Sequence, residues 1–213
     1  QVVGQVGIDM IAGPTEVLII ADESADPIRV AADLLAQAEH DEDAACWCVT
    51  PSRVLADALP AALAEQLARA PRAAVARASL ERNGLVVLTP DLTTAVEVAN
   101  RRAPEHLQIV ADGAETLAAG IRHAGAIFLG DDTPEPVGDY VAGPSHVLPT
   151  AGTARYASPL GVYDFIKRSS IIRYSRRRLL EDADHIIALA ETEGLSGHAD
   201  AVRLRQAPGA ATP

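Results

Sequence analysis

Glu16-Val-Leu-Ile-Ile-Ala21, followed after a polar turn by Asp26-Pro27 and a helical pattern, decides the fold class of this chain. A short apolar run rich in β-branched residues and bounded by turn residues reads as a buried strand. Asp26-Pro27 then opens a helix, because the missing N–H of Pro has no intrahelical partner to lose in the first turn. Val30, Leu34 and the aliphatic part of Gln37 fall on neighbouring turns of one side of that helix.

The alternation recurs along the chain. Ala45–Val49, Leu85–Leu88, Leu107–Val110 and Ala126–Leu129 read as further strands. Pro51–Arg69, Arg72–Arg82, Leu92–Arg101 and Ala114–Ala119 fit helices between them. Strands alternating with helices predict an α/β fold, a mostly parallel sheet sandwiched by helices. The layout is Rossmann-like but incomplete, since no Gly-x-Gly-x-x-Gly follows a strand. Neither a Walker loop nor a Gly-x-Ser-x-Gly elbow occurs.

After Gly130 the texture changes. Residues 130–159 carry many Gly and Pro and little periodicity, and long irregular loops in compact domains are usually functional. Beyond Pro159, Val162–Tyr174, Arg177–Glu191 and Gly197–Arg205 read as helices without strands between them. The domain boundary is therefore read near residue 160: an α/β body over 1–160 and a helical tail over 161–213. Such a tail cannot bury a core of its own and is expected to dock on a partner subunit. Gln206–Pro213, built of Ala, Gly and Pro, reads as a frayed end.

Composition narrows the function classes. The chain has 213 residues, 48% hydrophobic, enough to bury a proper core. A net charge of −11, with Lys167 the only lysine, argues against general nucleic-acid binding. The local run Arg176-Arg177-Arg178 reads as a solvated helix face. No apolar run reaches a membrane span, and no signal-peptide pattern opens the chain, so a cytoplasmic protein without membrane contact is expected. Gln1-Val2-Val3-Gly4 lacks an initiator Met and reads as cut from something longer. Cys46 and Cys48 flank Trp47 on one face of a strand and read as small buried hydrophobes.

Several residues carry chemistry. Gln37 and His40, spaced i, i+3 at a helix end, would emerge on one face; His ligates zinc well, whereas Gln would suit a site of higher coordination. Taken alone, the pair is more commonly a helix-end His satisfied by solvent or capping the last carbonyls. Glu105-His106 places a carboxylate beside an imidazole, two groups able to move protons near neutral pH, or else an exposed polar turn. On an extended segment these neighbours would point apart and serve different protons. Asp139 follows Gly138 in the loop that begins at Glu135, where it is an oxygen ligand or a turn residue. His146 closes that loop, and His198 follows Gly197 in the tail, a position more typical of a surface residue.

Taken in order, Ala12-Gly-Pro-Thr-Glu16, Gln37-Ala-Glu-His40, Pro104-Glu-His-Leu107, Gly138-Asp-Tyr140, Ser145-His-Val-Leu-Pro-Thr150 and Gly194–His198 resemble the histidinol dehydrogenase family. The likeness runs to about Arg205. It implies oxidation of L-histidinol through L-histidinal to L-histidine with two NAD, closing histidine biosynthesis, in a zinc-dependent homodimer. By motif position, zinc falls to Gln37, His40, Asp139 and His198, and proton transfer to Glu105 and His106. Substrate contact falls to Thr15, Gln37, His40, His106, Asp139, Glu193 and His198, with Thr15 standing where the family often has Ser. The resemblance further implies that the tail completes the partner's site and that most of the NAD site lies in an N-terminal half this chain lacks. A related zinc- and NAD-dependent dehydrogenase of another small alcohol, or a non-catalytic metal-binding fragment, are the competing readings.

Overall fold

The computed structural model describes residue 2 and residues 4–207. Of the expectation for Gln206–Pro213, the part beyond residue 207 lies outside the described residues. The chain divides into two compact units, the first ending at Ile166 and the second opening at Lys167.

The first unit is built on five parallel strands: β1 Glu16–Ala21, β2 Ala45–Thr50, β3 Gly84–Leu88, β4 His106–Val110 and β5 Ala126–Leu129. They lie in the order β3-β2-β1-β4-β5. β1 is central, with Val17 opposite Cys46 on one side and His106 on the other. Every residue of β1 is buried, which is why its sequence runs apolar instead of alternating.

Helices cover both faces. Val17, Ile19 and Ala21 face the cluster formed with α1 Pro27–Ala38, α2 Arg53–Leu67 and α3 Ala73–Asn83. Leu18 and Ile20 face α4 Leu92–Arg102 and α5 Ala114–Ala118. Asp26 caps α1 by accepting the Ile28 N–H, with Pro27 at the first helical position. Cys46 and Cys48 lie in the first cluster, where burial pushes both thiols up to about 12, so they behave as small hydrophobes.

Two local expectations need correction. The 130–159 segment is not wholly irregular: α6 spans Glu135–Tyr140, with Pro136 tolerated in its first turn. The helix read over Val162–Tyr174 is only a 3₁₀ turn at Val162–Phe165, where Gly161 and the Ser169-Ser170 pair flank apolar residues that find nothing to bury against; Phe165 and Ile171 are exposed. The second unit contains α7 Arg176–Thr192, capped by Ser175, and α8 Ser196–Gln206. No helix among the described residues is long and apolar enough to cross a membrane.

Candidate active site at the amino ends of the central strands

Nucleotide sites of open α/β sheets lie at the carboxyl ends of the strands. Here the chemistry gathers at the opposite edge. Thr15 directly precedes β1, and Glu105 directly precedes β4, whose first residue is His106. Because β1 and β4 are hydrogen-bonded neighbours, these three side chains share one end of the sheet. Residues of two sequence motifs also meet here, the Gly13 N–H donating to Thr150 Oγ1 at 2.6 Å.

Glu105 is held by two donors on one oxygen. Thr15 Oγ1 donates to Glu105 Oε2 at 2.6 Å, and the Glu16 N–H donates to the same atom at 2.9 Å. Burial raises the Glu105 carboxyl above its usual range, and these two hydrogen bonds oppose the rise. The chain reaches this position through α4, which ends on Ala103 in the left-handed region (φ 52°) before Pro104. Gly125 lets β5 approach: a Cβ there would sit 2.6 Å from the Glu105 carbonyl oxygen.

His106 is buried, with Nδ1 3.2 Å from the Glu16 carbonyl oxygen. A carbonyl only accepts, so the proton is assigned to Nδ1, and the Nε2 lone pair is left unprotonated. Nε2 has no hydrogen-bond partner among the described residues. Burial also lowers the His106 pKa, which keeps the ring neutral and able to take a proton. The expected divergence of Glu105 and His106 is only partial. Glu105 Oε2 lies 3.6 Å from His106 Nδ1, because Glu105 sits at the bend before the strand rather than within it.

The expected pairing of Gln37 and His40 on one helix face is also corrected. α1 ends at Ala38 with Glu39 as its cap, so Gln37 is helical and buried, whereas His40 lies beyond the helix and is exposed. His40 nevertheless joins a cluster. One ligand atom each of His40, Glu135 and Asp139 lies within 4.8 Å of the others. An imidazole and two carboxylates form a donor set suited to zinc, which binds such atoms at about 2.0–2.2 Å. The residues therefore fit a divalent cation.

Glu135 was not singled out by the sequence reading. The available signal was its i, i+4 spacing from Asp139 within α6. It is buried, with Oε1 3.9 Å from His106 Nε2. Burial first, then the charges of Asp139, Glu105 and Asp33, push its carboxyl up to about 8. Its oxygens lie 3.1 and 2.7 Å from one end of the Gln37 amide. The other end meets Thr15 Oγ1 at 2.7 Å and the Glu16 N–H at 3.2 Å. Turned one way, the amide nitrogen donates to Thr15 Oγ1 at 2.7 Å and leaves the Thr15 proton for Glu105; turned the other, it donates to both Glu135 oxygens. Glu16 is itself held by Arg102, whose guanidinium also lies 4.9 Å over Trp47.

Beside this group opens a cavity of about 330 Å³ lined by His106, Phe128, Val137, Asp139 and His146. Gly138 permits α6 to pass close to Phe128, where a Cβ would fall 2.7 Å from the ring. The first unit thus brings together Thr15, Gln37, His40, Glu105, His106 and Asp139. Glu193 and His198 belong to the second unit, Glu193 as the cap of α7 and His198 in the first turn of α8, both exposed.

The chain is also similar to known proteins over most of its length. The family model for histidinol dehydrogenase matches residues 1–206. The histidinol dehydrogenase of Thermosynechococcus vestitus is 54% identical over 208 residues, covering 98% of this chain and 48% of the relative. That of Bacillus subtilis is 50% identical over 206 residues, covering 97% and 48%. The crystal structure of histidinol dehydrogenase from Elizabethkingia anophelis superposes with a TM-score of 0.88 at 35% identity, covering 94% of this chain and 46% of that one. The chain spans about half the length of the curated relatives it matches.

Proposed function

Because the chain belongs to the histidinol dehydrogenase family, we propose that the protein oxidises L-histidinol to L-histidine, with zinc and two NAD, in the cytoplasm. In the first step the alcohol loses its proton to the protein and a hydride to NAD, giving L-histidinal and NADH. In the second, water adds to the aldehyde, and the hydrate loses a proton and a hydride to a second NAD, giving the carboxylate.

The observation that carries this reading is the buried His106, its Nε2 without a hydrogen-bond partner among the described residues, in the cavity that Asp139 also lines. His106 takes the alcohol proton at Nε2, while the Glu16 carbonyl holds the ring from behind. Glu105, with its carboxyl raised by burial, activates the water that attacks the aldehyde. Thr15 keeps Glu105 in place through its hydroxyl.

His40 and Asp139 would hold zinc, with Gln37 from α1 and His198 from the second unit completing the set that the resemblance implies. When bound, the ion supplies a Lewis acid and a template that orients substrate nitrogens. Glu193 and His198 act across a homodimer in this reading, the tail of one subunit serving its partner.

The test uses the whole protein as expressed from its own gene. Zinc-loaded protein given L-histidinol and NAD is expected to form two NADH per substrate, to lose activity on chelation and to regain it with zinc. Other small alcohols are expected to react far more slowly. Folded, zinc-loaded protein that forms no NADH from L-histidinol would overturn the reading.

A further inference from the structure

Gly138 stands inside α6, in helical backbone that any residue adopts, and a glycine there weakens the helix. Its backbone conformation does not call for it; the space beside it does. A Cβ at 138 would fall 2.7 and 2.8 Å from Cε1 and Cζ of Phe128, well inside the 3.4 Å at which ordinary contact begins. The same Phe128 ring pairs with the His106 imidazole, the two centres 6.0 Å apart and the planes tilted by 39°. Strand register accounts for that pairing. His106 of β4 is opposite Ala126 of β5, and Gln108 is opposite Phe128, so Phe128 stands diagonally from His106 on one face of the sheet. One ring therefore touches both the helix that carries Asp139 and the imidazole that takes the proton. His106, Phe128, Gly138 and Asp139 all line one cavity.

We propose that Phe128 and Gly138 are positioning residues, whose contact sets how far Asp139 on α6 stands from His106 on β4. The assignment rests on the proposed function above. A side chain at 138 would have to open the contact by more than half an ångström. α6 is the side that gives, because Phe128 is 7% exposed within the sheet whereas Tyr140 of α6 is 80% exposed. Asp139 follows Gly138 directly and moves with it. Metal–ligand distances hold to within about 0.2 Å of their ordinary values, so a shift of that size is large for a ligand.

Zinc affinity, measured on the whole protein by competition with a chromogenic chelator, tests this without an activity readout. Gly138→Ala is expected to weaken zinc binding by about 10- to 100-fold, the range typical of changes behind a metal ligand. The substitution raises helix propensity, so a weaker helix does not explain the loss. Phe128→Tyr adds an oxygen at Cζ, beside Gly138, and is expected to weaken binding in the same direction while leaving the sequence of α6 untouched. Phe128→Leu makes room: in that background Gly138→Ala is expected to cost only a few-fold, because the atoms it met are gone. A loss of equal size in both backgrounds would show that Gly138→Ala acts elsewhere and overturn the proposal. Wild-type affinity in both Gly138→Ala and Phe128→Tyr would overturn it too, with the metal reading intact. Should Gly138→Ala fail to fold, a folded, zinc-binding double variant with Phe128→Leu supports the proposal, and a double variant that also fails to fold overturns it. Wild-type protein that binds no zinc would remove the metal reading and this assignment together.

Discussion

His106 Nδ1 lies 3.2 Å from the carbonyl oxygen of Glu16, at the edge where β4 meets β1. This bond ties the protonation of one side chain to the register of two strands. The Nδ1 proton is committed to the backbone, and the lone pair at Nε2 is turned to the site. A parallel pairing shifted by one residue would remove the carbonyl and release the ring.

Thr15 gives a test of how Glu105 is held. Thr15→Val removes the donor to Glu105 Oε2 and leaves the Glu16 N–H alone on that oxygen. The expected cost is about 1–3 kcal/mol of stability in denaturant unfolding, with a fall in turnover. Thr15→Ser keeps the hydroxyl, and its turnover is expected to stay near wild type. Equal loss in both variants would mean the methyl group matters and the hydrogen bond does not.

Metal content separates His40 from the other histidines. His40 shares a cluster with Glu135 and Asp139, whereas His123 lies in the segment between α5 and β5. His40→Asn is expected to lose most bound zinc and His123→Asn to keep it, as measured by elemental analysis after gel filtration. Equal zinc in the two variants would remove His40 from the site.

Assembly gives a third expectation. If each centre takes His40 from one subunit and His198 from the other, mixing His40-deficient with His198-deficient subunits restores one intact site per heterodimer. Activity should rise from near zero toward half of the wild-type value for that species. Purified heterodimers without activity would sink the shared-site reading.

The two thiols give a pH-dependent expectation. Burial pushes Cys46 and Cys48 up to about 12 from an ordinary value near 9. A thiol whose folded pKa is raised contributes stability that is fully present below the unfolded pKa and lost as pH climbs through the folded one. Stability should therefore decline between about pH 9 and 12, and more gently in a Cys46→Ala, Cys48→Ala protein. Below pH 9 neither thiol should react with iodoacetamide until the chain unfolds, as read by mass spectrometry.

Much of the first unit was legible because its signals are local. Glu16–Ala21 is short, apolar and flanked by turn residues, and burial on both faces leaves that pattern unmixed. Glu105-His106 was legible as a pair of proton-moving groups, and Asp139 as a loop carboxylate. Glu135 was not, because its place depends on α6, a helix obscured by Pro136 and Gly138, residues of poor helix propensity. Val162–Tyr174 misled for the opposite reason: its apolar spacing suits a helix, but Phe165 and Ile171 are exposed, and periodicity without a surface to bury does not make one. The separation of His40 from the end of α1 depended on a cap at Glu39 that carries no sequence signature of its own.

The division of labour between Glu105 and His106 is the centre of the account, and stopped-flow NADH formation reads it directly when L-histidinol and L-histidinal are supplied as separate substrates. Loss of a well-placed general base costs about 10²–10⁴ in rate. Glu105→Gln is expected to slow oxidation of the aldehyde more than the first hydride transfer, and His106→Asn to impair the alcohol step at least as severely. Glu105→Gln slowing only the alcohol step would reverse the two roles, and undiminished activity in both variants would place the site elsewhere.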